Sequence, residues 1–152
     1  MTPKRETVAI LNRKAKFHYH LLEFFEAGMV LTGSEVKSLR AGRANLGDAY
    51  AIFRRDALWL LHCHISLYPP AAANNHEPLR SRKLLLHARE LARLIGKMKE
   101  RGLTVIPTKL YFTPRGLAKC ELALARGKAQ HDKRETTKKR EAERAMRRAM
   151  KR

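Results

Sequence analysis

Acidic residues are scarce in this chain. Across 152 residues, 14 Asp and Glu stand against 33 Lys and Arg, a formal net charge of +19. Such an excess binds polyanions by counterion release, which makes nucleic acid the leading class of partner. Cysteine is nearly missing too. Cys63 and Cys120 lie far apart, make no disulfide framework and point to reduced cytoplasm. No apolar run approaches a membrane span, and the basic C-terminal stretch has no Trp, Phe or Leu with which to anchor on a lipid surface. The polar start Met1-Thr-Pro-Lys-Arg-Glu is followed by no apolar segment, so no secretory signal is expected. There is no Gly-rich phosphate loop and no nucleophile elbow. Little of an active site is therefore present, and neither enzymatic activity nor a cofactor is expected.

The most informative absence is local. From Lys128 to Arg152 there are 11 Lys and Arg, 4 Asp and Glu, and no Leu, Ile, Val, Phe, Tyr or Trp. A segment of this kind cannot bury enough apolar surface to offset the entropy of ordering itself. It is expected to be disordered alone and to order on something strongly negative. Ala142, Ala145, Met146, Ala149 and Met150 would share one helical face, so the sharper expectation is a helix that forms only inside an RNA-lined channel. At its entrance, Gln130, His131 and Asp132 are placed to stack on or hydrogen-bond to unpaired bases.

What is there upstream reads as a packed domain, residues 1–127, carrying a tail, residues 128–152. Thr7-Val8-Ala9-Ile10-Leu11 and Phe17 to Phe25 are strand-like, and Glu26-Ala27-Gly28 breaks the second before Met29-Val30-Leu31 resumes it. Thr32-Gly33-Ser34-Glu35 fits a capping box, with a short helix to Arg40 and Gly42 as its left-handed terminator. Ala49–Phe53 and Leu58–Ile65 form a hairpin about Arg54-Arg55-Asp56-Ala57. Leu84, Ala88, Leu91, Ile95 and Met98 make a stripe that predicts one long helix over Lys83–Arg101. Thr104–Pro107, Leu110–Phe112 and Leu117–Leu124 close the domain as strands, with Pro107 at an edge or bulge. The class is α+β, mainly β. Its expected form is an OB-like closed β-barrel with inserted helices and a disordered basic tail.

His62-Cys63-His64 invites a metal reading. In a strand, however, the histidines face away from the cysteine, and no second ligand pair stands at zinc spacing, so no metal is expected. Arg80, Arg82 and Lys83 read as a phosphate clamp at the helix start, and Lys37 and Arg40 are left to face solvent or a partner. Tyr19, Tyr50 and Tyr111 fit a core edge or a base-stacking platform equally well.

Several stretches together resemble a known family. They are Asn12-Arg-Lys-Ala, Glu26-Ala-Gly, Leu31-Thr-Gly-Ser-Glu-Val-Lys-Ser-Leu-Arg-Ala-Gly-Arg-Ala-Asn-Leu, Arg80-Ser-Arg-Lys-Leu-Leu-Leu-His and Gly127-Lys-Ala-Gln-His-Asp-Lys-Arg. In order and spacing they closely resemble the small protein B (SmpB) family, the SsrA-binding proteins of bacteria. The resemblance implies an OB-like body that holds the elbow of transfer-messenger RNA and carries it to stalled ribosomes. It also implies a tail that turns helical in the empty messenger channel. By matching motif, Glu26, Lys119 and the Leu85 region would belong to the RNA-binding surface, with Asn12, Arg13 and Lys14 as further members. Gly127, Lys128, His131, Asp132, Lys133 and Arg134 would act at the decoding centre, with His131 as the stacking residue. Transfer-messenger RNA and the ribosome are then the partners of a free monomer. The reading from another class is a generic ribosomal-RNA-binding or assembly protein.

Overall fold

An aromatic-rich stretch becomes the strand on which the sheet is built. A computed structural model describes residues 9–150, with the side chains of residues 130–132 outside that description. In it Tyr19–Met29 (β2) runs unbroken for 11 residues, with Phe25 and Ala27 inward and Phe24 and Glu26 outward. Ile10–Leu11 (β1) and the short helix Ala15–His18 (α1) precede it. The expected Thr7-Val8 portion of the first strand lies outside the described residues. After β2 come Gly33–Arg40 (α2), Ala44–Asn45 (β3), Tyr50–Arg54 (β4), Ala57–Leu61 (β5) and His64–Ile65 (β6). Arg82–Leu85 (β7), Ala88–Met98 (α3), Leu103–Phe112 (β8), Ala118–Gly127 (β9) and Gln130–Met150 (α4) complete the described chain.

Seven strands stand in the order β1-β8-β4-β5-β7-β2-β9, and β3 pairs with β6 in a small separate sheet. β8 pairs with β9 as well, from Leu103 opposite Arg126 to Phe112 opposite Ala118. β4 meets β8 at one register position, Ala51 opposite Val105. Leu58, Leu60, Cys63, Ile65, Leu94, Val105, Cys120 and Leu122 lie wholly inside, under the sheet and against α3. Burial pushes the Cys63 thiol up to about 11, and Cys120 rises for the same first reason. Both therefore pack as small apolar groups.

Three expectations are corrected. First, the expected break at Glu26-Ala27-Gly28 does not occur: Gly28 pairs on one side with Leu85 and on the other with Lys119, and ladder bonds on both edges carry the strand across it. The irregularity falls at Leu22, which the register shift turns outward. Phe17 and His18 belong to α1. Second, the long helix over Lys83–Arg101 is divided. Leu84 inserts between Met29 and Leu58 in the sheet. That gain in burial and pairing overrides the helical stripe, and α3 starts only at Ala88. Third, the expected strand Leu58–Ile65 is divided: β5 ends at Leu61, His62 takes a left-handed φ of 56° that turns the chain, and β6 is only His64–Ile65. The residues beyond Lys128 carry a helix, α4, exposed from Lys138 onward.

Local signals were followed closely elsewhere. Arg55 and Asp56 both take positive φ (49° and 60°), giving the tight turn of the β4–β5 hairpin the twist it needs. The shift in β8 falls directly after Pro107, which has no amide proton to donate to a ladder. At the end of α2, Gly42 takes φ 74°. The Gly42 N–H then donates to the Leu39 carbonyl and Arg43 N–H to that of Ser38 (2.9 and 3.0 Å), a Schellman ending.

The start of α2 holds the most heavily connected side chain. Glu35 Oε1 accepts from the Thr32 N–H at 2.9 Å, the capping-box bond. The same oxygen accepts from Arg80 at 2.6 Å, and Oε2 accepts from Arg82 Nε. Glu35 and Arg82 are both wholly buried. Arg82 further donates to the carbonyls of Cys63 (2.6 Å) and Pro78 (3.1 Å). One carboxylate thus ties α2 to β7, to the β5–β6 junction and to the loop before β7. Beside it, His76 is also buried, its Nε2 donating to the Ile65 carbonyl at 2.9 Å and its Nδ1 paired with the Ser34 hydroxyl at 2.8 Å.

Burial pushes the Glu35 carboxyl up, but the donors from Arg80, Thr32 and Arg82 outweigh it and hold the group at about 2, below its ordinary 4.5. A carboxylate more acidic in the folded state stabilises the fold above the unfolded value and loses that contribution as pH falls toward the folded one. Urea unfolding should therefore show stability falling between about pH 4.5 and about 2. Glu35→Gln should lower stability by about 3–5 kcal/mol at neutral pH, the range for removing one member of a buried pair, and should flatten that acid limb.

Candidate nucleic-acid interface

Strand parity brings distant residues to one place. Glu26 lies on the outward side of β2, Leu85 on that of β7 and Lys119 on β9, and the register sets Leu85 and Lys119 on opposite flanks of Gly28. Together they line a groove of about 800 Å³ across β2, β7 and β9, walled by the start of α3. A Cβ added at Gly28 would meet that of Leu85 at 3.5 Å, so the glycine keeps the floor low. Phe24, Leu85 and Leu117 expose 53%, 50% and 58% of their surface here, a large apolar area for a charged protein. Among these lie Glu26 and Lys119, paired at 3.9 Å, and Arg93 on α3. Apolar faces suited to unstacked bases, interleaved with cations suited to phosphate and a carboxylate acceptor, match single-stranded or distorted RNA.

The far wall is fastened by Glu23, which pairs with Arg93 at 2.7 Å and with Lys97, joining β2 to α3. The Lys97 hydrogen bond is the main cause that holds the Glu23 carboxyl below its ordinary value, against the opposing effect of burial.

The other expected residues are distributed. Lys37 and Arg40 extend from the exposed side of α2, over the rings of Tyr68 (5.5 Å) and Phe112 (4.6 Å). Lys83 is exposed on β7, opposite Trp59. Arg13 and Lys14 are exposed in the turn before α1. Asn12 has a bracing role, its amide donating to the carbonyls of Pro107 (2.8 Å) and Leu46 (3.3 Å). The expected phosphate clamp of Arg80, Arg82 and Lys83 is corrected. Arg82 is wholly buried on Glu35, Arg80 is turned onto the same carboxylate, and only Lys83 is left open. Two guanidinium groups that satisfy a buried acid are not available to a phosphate.

At the root of the tail, Gly127 pairs with Tyr19, the Lys128 N–H donates to the His18 carbonyl at 2.9 Å, and Lys128 Nζ donates to Thr136 at 2.7 Å. Arg140 lies over the Phe17 ring at 5.8 Å, so α4 touches α1. Lys133 is half-buried and Arg134 exposed. The side chains of Gln130, His131 and Asp132 lie outside the described residues.

Sequence reasoning missed two contributors, Phe24 and Arg93. Phe24 shares parity with Glu26 two residues on, and that signal was readable. Arg93 depended on where α3 packs.

The family model of the SmpB protein matches residues 9–152. The SsrA-binding protein of Trichodesmium erythraeum is 53% identical over 141 residues, covering 92% of this chain and 90% of its own. That of Symbiobacterium thermophilum is 55% identical over 139 residues, covering 91% and 88%. A chain from a solved structure of tmRNA-SmpB and the bacterial ribosome superposes with a TM-score of 0.70 at 44% identity, over 86% of this chain and 94% of that one.

Because Leu85 is half exposed and Lys119 makes only a long surface pair, neither holds the fold together. Leu85→Ala and Lys119→Ala should each change the free energy of urea unfolding by no more than about 0.5 kcal/mol. Any loss of binding in these variants is then a loss at the interface.

Proposed function

The chain belongs to the SmpB family, and from that premise we propose that it binds transfer-messenger RNA (SsrA) through its transfer-RNA-like domain and delivers it to stalled ribosomes in trans-translation. The observation that carries this is the groove: Glu26, Leu85 and Lys119, contributed by three strands, share one surface. Relatives that are SsrA-binding proteins and a structural neighbour from tmRNA-SmpB on the ribosome support the same partner pair.

Within this reading the body and tail divide the work. The body, residues 1–127, takes the RNA on the groove, with Arg13, Lys14, Lys37, Arg40 and Lys83 supplying phosphate contacts along the flanks and Asn12 bracing them. Its form is an OB-like barrel, a reading supported by β8 pairing with β9 and, at one position, with β4. The tail, residues 128–152, acts at the decoding centre. Gly127, Lys128, Gln130, His131, Asp132, Lys133 and Arg134 meet it first, His131 by stacking, and the rest senses an empty messenger channel. A helix exposed on nearly all sides gains little from packing. In free solution its like charges oppose it, so disorder alone and order on RNA follow. The protein acts in the cytoplasm as a monomer when free and as a binding factor rather than an enzyme. Among the described residues no helix is long and apolar enough to cross a membrane.

Competition between transfer-messenger RNA and bulk transfer RNA across a salt series tests the reading, since at +19 charge any RNA binds at low salt. A preference that persists at physiological salt is expected. Equal binding there would leave a generic ribosomal-RNA-binding protein. Deleting residues from Lys128 onward should keep the preference while abolishing tagging of stalled peptides in a reconstituted translation assay. Loss of selective binding on truncation would overturn the division of labour.

A further inference from the structure

Of the expected phosphate clamp only Lys83 is open, and its neighbour across the sheet is Trp59, the one tryptophan of the chain. Parity decides where that ring stands. Leu58 and Leu60 on either side of it are wholly buried, so Trp59 and Leu61 belong to the outer face of β5. On that face Ile52 of β4 lies opposite Trp59 from one side and Lys83 of β7 from the other.

The indole is held in place. Its N–H donates to the Arg54 carbonyl at 2.9 Å, which satisfies the only polar atom of the ring. Among the described residues no other ring and no cation is stacked on it. Beside it lies a hollow of about 200 Å³ lined by Ile52, Arg54, Arg55, Trp59, Leu61 and Ser81. Sites for free small molecules begin at about 300 Å³, so the hollow suits one planar ring better than a whole ligand. Arg54, Arg55 and Lys83 are exposed around it, and Asp56 at the tip of the turn is the only acid of the hairpin. A half-buried aromatic ring among cations matches a nucleobase and its phosphates.

The hollow continues the groove. Leu85 is two residues from Lys83 on β7, shares its side of the sheet and lies opposite Gly28 in the groove floor. By ordinary sheet spacings Trp59 then stands on the order of 8 Å from Leu85, the reach of a neighbouring nucleotide. We propose that Trp59 is a base-stacking site for the RNA held in the groove: an unpaired base lies on the indole while Lys83, Arg54 and Arg55 take the phosphates beside it. This rests on the groove being the RNA-binding surface. Every base has a face to stack, so the site asks for an unstacked nucleotide and not for a sequence. It favours distorted RNA over regular duplex.

Because Trp59 is the only tryptophan, its emission reports on the site in the full chain without a label. Titration with transfer-messenger RNA at physiological salt should quench it over the same concentrations at which the RNA binds. Trp59→Leu, which keeps an apolar side chain, should weaken that binding about tenfold, the scale of one base stack. The salt slope should be unchanged, because no cation is removed, and Trp59→Tyr should restore most of the affinity. Lys83→Ala should instead lower the slope by about one phosphate. Emission unchanged in a saturated complex, or wild-type affinity in Trp59→Leu, would overturn the proposal and leave the functional reading standing. The quench needs no variant, so it decides the matter even where Trp59→Leu fails to fold. Equal affinity of the wild type for transfer-messenger RNA and bulk transfer RNA would remove the functional reading, while quenching by both would keep Trp59 as a stacking site.

Discussion

A chain with so few acids has placed one of them where water cannot reach. Glu35 is buried between Arg80 and Arg82 and also caps α2. Arg82 could not be buried without it, and the carbonyls of Cys63 and Pro78 would lose the donor that satisfies them. A buried pair of this kind contributes little net stability, because desolvating both ions offsets most of their attraction. What it fixes is geometry. Helix α2, the β5–β6 junction and β7 are joined at this one carboxylate, and β7 is one of the three strands that form the groove.

That constraint shows why much of the fold was legible in the sequence and some of it was not. Capping, turns and terminators are local, so the Thr32–Glu35 box, the turn at Arg55-Asp56 and Gly42 could each be read from a few neighbouring residues. The boundary between β7 and α3 is not local. Leu84 satisfies a helical stripe and a strand equally well, and only the distant partners Met29 and Leu58 decide between them. Arg80 and Arg82 were misread for a related reason. Two arginines beside a lysine look like a phosphate clamp until a glutamate over forty residues away closes on them.

The groove divides in the same way. Glu26, Leu85 and Lys119 came from motif resemblance, and no periodicity would have selected them. Register explains their meeting, because strand pairing turns separations of tens of residues into neighbouring positions. Tyr111 was undecidable between core edge and stacking platform. In the structure it stands on β8 opposite Lys119, with the Lys109 ammonium 5.2 Å from its ring centre. Composition alone marked the tail as a segment without large apolar residues, and α4 is accordingly exposed from Lys138 onward.

Strand β2 is bonded along one edge to β9 and, at its end, to β7, and the groove lies across all three. A floor built this way is cross-braced on both sides of β2, so its contour is cast when the sheet pairs, and a mould of that kind takes its shape from folding rather than from its guest.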